Sequence, residues 1–532
     1  MPSTPTTKSQ VHAYQFVLRR MQSALVRRDS VMLHDPMRTH GRATLVGFIL
    51  GLLGVVGFVI FGLINPSPSV PDSGIVIGKE SGTIYVVSGS PKSLTPTFNL
   101  ASARLLLMSL QKGGNTQVSP PTVVPDDSLK GIPHNRRTGI VDGPQLLPTS
   151  GQRISDDWGI CDELMINRQL PESSQLQKAT LQTTVFAGQS KLGDELNVDA
   201  AVLVQADNGK YYLIYRLPNN PNDPNANTVR AEVDPNQAAV VSTFKLNPGR
   251  IRHISIGLLN SIPLVPPLAP PQIPGVGGSS AFPTLKSAGL HVGSVFAVNS
   301  VSGSRDVYVL LQNGIQQVSQ AVGDLVRAAQ AGSNQVPQVS PDKISEVRQI
   351  QQTDRDFLPV STMPSVVPTI LDPITSPVTC LGWNIVNNQP HTVVSVGSTL
   401  PVPKDGKLID IGKSNPEGQR IDHFYMSPGH GAVVQSATGA ATFNRGPISL
   451  VTDTGLRYGI PDENTAKALG LDGARPAPEA IIALLPTGTS LNVTDAQKSY
   501  DDIPVAPSAG SYPSQQQQQQ QQQQTSSTPG GN

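Results

Sequence analysis

The strongest constraint in this 532-residue chain is a run from Ala43 to Ile64, ATLVGFILGLLGVVGFVIFGLI, that holds neither a charge nor a proline. As a helix rising about 1.5 Å per residue, it is long enough to cross a hydrocarbon core of about 30 Å. A secretory signal is disfavoured because the run is too long and is preceded by about 42 residues. A buried core helix is disfavoured because the run has no polar face. The charge balance divides at the same place. The chain carries 39 Lys and Arg against 38 Asp and Glu, which argues against nucleic-acid binding through a basic surface. Residues 1–42 nevertheless hold seven basic and two acidic side chains, and the remaining 490 hold 32 and 36. Arg38 and Arg42 precede the run, and no charge follows it before Asp72. The positive-inside rule then gives a single-pass membrane protein, with residues 1–42 cytoplasmic and the body after the span extracytoplasmic.

Within residues 1–42, Val11, Tyr14, Val17, Leu18, Met21 and Leu25 recur at spacings of three and four. That is the apolar face of an amphipathic helix, with Arg19, Arg20, Arg27 and Arg28 on the remainder. Such a helix either lies on the anionic inner leaflet or docks a partner membrane protein, and the spacing alone leaves both open.

Past the span only self-similarity organises the chain. With 48 Gly and 48 Pro it is too rich in turn formers to be mostly helical, and with 38% apolar residues it is too apolar to be disordered. Four segments share one plan of apolar strand, turn and short helix, starting near Thr83, Lys210, Asp306 and Ile448. Asn313-Gly314 and Thr454-Gly455 are hairpin signals, while Thr95-Pro96 and Asp234-Pro235 fit a helix N-cap followed by proline. Ile-Pro or Leu-Pro elements follow the units at Ile132-Pro133, Ile262-Pro263, Leu358-Pro359 and Leu485-Pro486.

The expected organisation is a cytoplasmic helix in 1–42, a span at 43–64 and repeat 1 at 72–148. A first central part at 149–205 and repeat 2 at 206–265 come next, then a Pro/Gly linker at 266–285 and repeat 3 at 286–365. A second central part at 366–445, repeat 4 at 446–500 and a disordered Gln/Pro/Ser-rich tail at 501–532 complete it. The fold class is α+β, with four α/β repeats around a β-rich centre of pseudo-two-fold symmetry.

The chain has two cysteines and two tryptophans, in Trp158-Gly-Ile-Cys161 and Cys380-Leu-Gly-Trp383. One pair falls between repeats 1 and 2 and the other between repeats 3 and 4, so the chain reads as two related halves whose cysteine segments meet. Outside the cytoplasm a Cys161–Cys380 bridge is the natural pairing, with free thiols or an intermolecular link as alternatives. A tryptophan near each sulfur is expected to help bury it.

No catalytic residue and no metal-ligand set stands out. The nine histidines lack ligand spacing, and His423 and His430 read as surface-loop residues. Ser340-Pro-Asp-Lys343 reads as a helix start. Gly406, Gly412, Lys413 and Ser414 resemble a degenerate phosphate loop, but five residues separate the glycines where four are needed, and the interval Lys-Leu-Ile-Asp-Ile is strand-like. No cofactor is expected, ATP entering only if that segment were nucleotide chemistry.

The segment Lys8-Ser-Gln-Val-His-Ala-Tyr-Gln-Phe-Val-Leu-Arg-Arg-Met, then Asp35-Pro-Met, one span and cysteine-bearing repeats together resemble the EccB family, membrane components of the mycobacterial type VII (ESX) secretion system. The resemblance covers roughly residues 8–495. It implies a structural subunit of a large inner-membrane complex with EccC, EccD, EccE and other EccB copies. It also implies an elongated outer domain whose four repeats resemble cell-wall-binding modules, and a disulfide between the residues matching Cys161 and Cys380. A peptidoglycan-binding anchor is one alternative role. Family members have been labelled ATPases, a second alternative for which this sequence offers no intact Walker motif.

Overall fold

The structure is a computed structural model that describes residues 7–28, 36–64, 69–111, 120–217, 228–299, 303–330, 335–412, 414–415 and 418–502. Lys413 and the Gln-rich tail from 503 lie outside the described residues. The chain divides into two units, Met1–Val70 and Pro71–Asn532.

In the first unit, helix Lys8–Arg27 opens on Thr7, with a capping box in which the Gln10 side chain accepts the Thr7 N–H at 3.0 Å. The second helix, Pro36–Ile64, carries one candidate span, Gly41–Gly62. That span is exposed along its length, as an element made to face lipid must be.

In the second unit the four repeats prove to be one topology repeated. In repeat 1, strands Gly74–Gly78, Ile84–Ser88 and Ser93–Thr97 form an antiparallel meander, and helix Leu100–Leu110 follows. Strand Thr122–Val124 then returns parallel to the first strand, and the chain comes back alongside the third at His134 and Arg137–Thr138. Repeat 2 does the same with Ala200–Ala206, Tyr211–Arg216, Thr228–Val233, helix Ala238–Phe244, Arg252–Ile254 and Leu264–Leu268. Repeat 3 uses Val295–Asn299, Arg305–Leu311, Gly314–Val318, helix Gln320–Ala329, Gln338–Val339 and a bridge from Ile315 to Gln349. Repeat 4 uses Gly431–Ala437, Ile448–Thr452, Arg457–Ile460, helix Glu463–Ala468, Arg475–Pro478 and a bridge from Arg457 to Thr487.

This common register explains the recurring proline elements. The carbonyls of Pro133, Pro263 and Pro486 accept N–H groups from the third strands at 2.8–2.9 Å, from Leu94, Arg230 and Arg457. Proline is tolerated there because only the preceding strand must donate. In repeat 3 the equivalent acceptor is the Arg348 carbonyl, so the expected Leu358-Pro359 is not the matching element. Leu358 instead exchanges two hydrogen bonds with the Gln316 side-chain amide, beyond the returning segment.

Several expected boundaries move. Ala200–Ala206 and Gly431–Ala437, expected in the central parts, pair within repeats 2 and 4, so the limits at 206 and 446 fall one strand late. The expected linker 266–285 is largely structured. Leu264–Leu268 is a strand of repeat 2, and Gly277 and Gly278 exchange hydrogen bonds with Val292 ahead of repeat 3. Thr95-Pro96 lies inside a strand, and Asn99 caps the helix by accepting the Ser102 N–H. Asp234 closes a turn onto the Asn236 N–H, and the helix starts at Ala238. Ser340 does start a short 3-10 helix, Pro341–Lys343.

Among the described residues the central sheet has seven strands. Its middle four run antiparallel in the order Thr180–Ala187, Trp158–Met165, Val378–Val386, Gln389–Gly397. Two hairpins, one from each half of the chain, thus meet along the strands that carry the cysteines. One face of this sheet (Trp158, Ile160, Val185, Leu381, Trp383) packs with Val202, Val204, Leu258 and Leu259 of repeat 2 and with Val434, Ile481 and Ile482 of repeat 4 in one continuous core. Repeat 1 joins repeat 4 through Ala101 and Leu105 against Leu469 and Leu471, and repeat 3 joins repeat 2 through Ala321 and Leu325 against Val240 and Phe244.

Gly314 shows how tight the common register is. It lacks a left-handed φ and serves close approach, since a Cβ there would lie 2.3 Å from the Arg348 carbonyl oxygen. Gly314→Ala is expected to destabilise the second unit by about 1–3 kcal/mol in urea unfolding, with the loss centred on repeat 3.

Candidate functional site

Trp158–Met165 and Val378–Val386 are the middle of the central sheet, and their register sets Cys161 opposite Cys380 and Trp158 opposite Trp383. Cys161 and Cys380 are bonded to each other, with their Cα atoms 4.0 Å apart. Side chains alternate across a strand, so residues three apart point to opposite faces. The tryptophans therefore do not shield the sulfurs. They belong to the core shared with repeats 2 and 4, whereas the bridge lies on the other face under Phe186, Leu192, Val378 and Tyr425. Both cysteines are fully buried. In the chain-entropy model, closing a loop of this length stabilises the fold by about 5 kcal/mol.

One residue along, Asp162 points to the face that receives repeat 2, and it is buried among donors. It accepts from the Ser255 N–H at 2.6 Å, the Ser255 Oγ at 2.9 Å and the Thr183 Oγ1 at 2.8 Å. Ser255 also caps helix Ile256–Ser261 by accepting the Leu258 N–H, so one carboxylate fixes the start of the helix that repeat 2 inserts into the core. Arg252, buried beside it, donates from Nη1 to Thr379 Oγ1 at 2.7 Å; among the described residues its Nε and Nη2 have no acceptor. Burial pushes the Asp162 carboxyl up to about 6, against its hydrogen bonds and Arg252, and draws the Arg252 guanidinium down to about 10.

A second clasp joins the same partners. Arg250 bridges Glu172 at 2.6 Å and Asp372, one from each central part, and with Glu172, Gln205, Tyr211 and His253 it lines a cleft of about 780 Å³. Sequence reasoning missed both clusters. Their signal was available as charged Arg250 and Arg252 and polar Ser255 within an otherwise apolar alternation, and as Asp162 beside the first cysteine.

The other expected site residues are not gathered into a site. Val11, Tyr14, Val17, Leu18, Met21 and Leu25 lie along helix Lys8–Arg27, each substantially exposed and free to meet a partner surface. Gly406 and Gly412 flank an edge strand, Ile409–Asp410, paired antiparallel with His423–Tyr425. Gly406 sits in a turn closed by its N–H on the Pro403 carbonyl, against the Tyr425 ring. Ser414 is half-buried, and among the described residues no helix opens between Gly412 and His423. A phosphate loop needs a strand followed by backbone N–H groups converging at a helix start. This segment has the geometry of a sheet edge, and Lys413 lies outside the described residues. His423 meets Asp410 at 2.9 Å, and His430 contacts the Pro428 carbonyl in an exposed turn. Among the described residues no cluster of three or more His, Cys, Asp or Glu is arranged to hold a metal.

A family model described as type VII secretion system ESX-1, transport TM domain B, matches residues 3–505. The ESX-3 secretion system ATPase EccB3 of Mycolicibacterium smegmatis is 28% identical over 94% of this chain and 92% of its own length. The ESX-2 secretion system ATPase EccB2 of Mycobacterium tuberculosis is 28% identical over 95% and 97%. Among solved structures, a chain of an intact ESX-5 inner membrane complex superposes with a TM-score of 0.66 at 25% identity, covering 97% of this chain and 99% of that one. An EccB3 dimer from the ESX-3 core complex shares the fold, with a TM-score of 0.63 at 24% identity over 80% and 100%.

Asp162 sets a pH dependence. Its folded-state pKa of about 6 lies above the unfolded value of 3.8, so the folded state binds the proton more tightly. Its contribution therefore weakens stability as pH rises from about 4 through 6, by about 3 kcal/mol, and is constant above that range. Urea unfolding at pH 4.5 and 7 is expected to show a slope that Asp162→Asn removes in large part; an unchanged slope would contradict the assignment.

Proposed function

The chain belongs to the EccB family of type VII secretion transport proteins, and from that premise we propose that it is a structural subunit of an ESX inner-membrane secretion complex. The observation that carries this reading is the match of nearly the whole chain, span region and outer unit together, to one chain of an assembled ESX-5 inner membrane complex. The span anchors the chain. The outer unit, held by one central sheet and a buried disulfide, is a preorganised body for assembly with further copies of itself and other subunits.

In this reading the N-terminal helix is cytoplasmic and the repeats lie outside, an orientation supported by the basic residues that precede the span. The exposed stripe of that helix, from Val11 to Leu25, is the docking face for EccC, EccD or EccE, where its apolar surface leaves water. We assign the chain no hydrolytic step. The relatives' names carry the word ATPase, but between Gly406 and Gly412 the chain runs through an edge strand, Ile409–Asp410, and in the orientation proposed here that strand lies away from cytoplasmic nucleotide. Anchoring to peptidoglycan remains an alternative role for the repeats and is read out by retention of the purified protein on wall material.

Leu18→Asp is expected to cut recovery of the partner subunits from mild detergent at least about tenfold, the loss given by roughly 1.4 kcal/mol at an interface. Thermal unfolding of the outer unit should not change. Undiminished recovery of all partners would count against docking through this helix.

A further inference from the structure

We propose that the Cys161–Cys380 bridge is installed by a protein oxidant carrying a disulfide, which bonds transiently to Cys161 before the central sheet closes, and that closure then seals the bridge against further exchange. The inference rests on the placement of the repeats outside the cytoplasm.

In the finished fold neither sulfur has any exposed surface, and Phe186, Leu192 and Tyr425 cover them, with Leu400, Val402 and Leu408 packed alongside. Thiol–disulfide exchange needs an incoming sulfur aligned with the bond it attacks, and this cover leaves no approach. The chain holds no third cysteine that could relay the exchange from within. The bond must therefore be made earlier.

The order of the chain shows when. Trp158–Met165 pairs with the nearby Thr180–Ala187, so Cys161 can be held in a local hairpin. Its other neighbour, the strand bearing Cys380, comes 219 residues later, after the whole of repeats 2 and 3. Tyr425 and residues 400–408 come later still. Until they arrive, Cys161 lies on an eight-residue strand with one free edge beside an uncovered sulfur. A free edge is a surface that a protein can hold by strand pairing, which favours a protein oxidant over a small disulfide.

The exchange balances in two steps. The Cys161 thiolate attacks the oxidant's disulfide, so that a mixed disulfide forms and one oxidant sulfur leaves as a thiolate. The Cys380 thiolate then attacks the Cys161 sulfur, forming the native bridge and releasing the second oxidant thiolate. Two electrons pass from the chain to the oxidant, and the two cysteine protons go to solvent.

The test uses the full chain produced in its host, acid-quenched and alkylated. Cys380→Ser is expected to accumulate a reductant-sensitive adduct joining Cys161 to a protein with a C-x-x-C pair, identified by mass spectrometry; the adduct precedes folding, so it does not require the variant to fold. A fully bridged wild type alongside a Cys380→Ser chain with no adduct, or with only a small thiol attached, would overturn the inference. Sealing is read separately on the wild-type chain in detergent. Dithiothreitol should cleave the bridge at least roughly 100-fold faster in urea than in native buffer, and equal rates would overturn it. A wild-type chain recovered with two free thiols would instead overturn the outside placement on which the inference stands, and the inference with it.

Discussion

The antiparallel pairing of Trp158–Met165 with Val378–Val386 is the constraint on which the second unit depends. It joins chain segments more than two hundred residues apart, and no local propensity supplies it. Its alternation sorts side chains into two uses. One face gives Trp158, Ile160, Leu381 and Trp383 to the core shared with repeats 2 and 4, and the other gives Cys161 and Cys380 to a covalent bond. A register slip of one residue would exchange the two faces, pointing the sulfurs at the repeats and the tryptophans at the loop cover. The disulfide, directly across the register, fixes it.

The repeats follow from this centre by nesting. Repeats 2 and 3 lie in sequence between the cysteines and pack on each other; repeats 1 and 4 lie outside them and do the same. Repeats 2 and 4 also cover the central sheet side by side, and Gly257 brings helix Ile256–Ser261 within close reach of Leu484 and Ile160. The polar contacts reinforce the same joints. Arg104 reaches the Leu469 carbonyl between repeats 1 and 4, Arg250 ties both central parts to repeat 2, and Asp162 holds the cap of its inserted helix. Each of these buried or half-buried charges costs desolvation, so they set which surfaces meet more than they add net stability.

Much of this was legible in the sequence because it rests on local patterns. The span is a composition signal, the amphipathic helix a spacing signal, and the repeats a recurrence of strand, turn and helix. What was not legible depends on distant pairing. Ala200–Ala206 and Gly431–Ala437 look like central strands until their partners are known. Thr95-Pro96 reads as a helix start because a cap and a strand end use the same residues, and the Asn99 cap is chosen by where the strand register stops. Leu358-Pro359 copies the recurring motif but not its position, since Arg348 supplies that acceptor. The Cys–Trp spacing was read as proximity, whereas the period of a strand makes a three-residue offset a change of face. Asp162, beside Glu163, and Arg252, between Arg250 and His253, read as charges that face water, and it is the packing of repeat 2 on the central sheet that buries these two.

The function proposed for the chain lies in assembly, through its membrane anchor, the exposed stripe of its N-terminal helix and a body built on one central sheet. The most direct measurement is native mass spectrometry of the full-length chain purified in mild detergent from the cells that produce it. The account predicts one large assembly holding several copies of this chain together with other membrane subunits. A chain recovered alone, as a monomer free of any membrane partner, would contradict it.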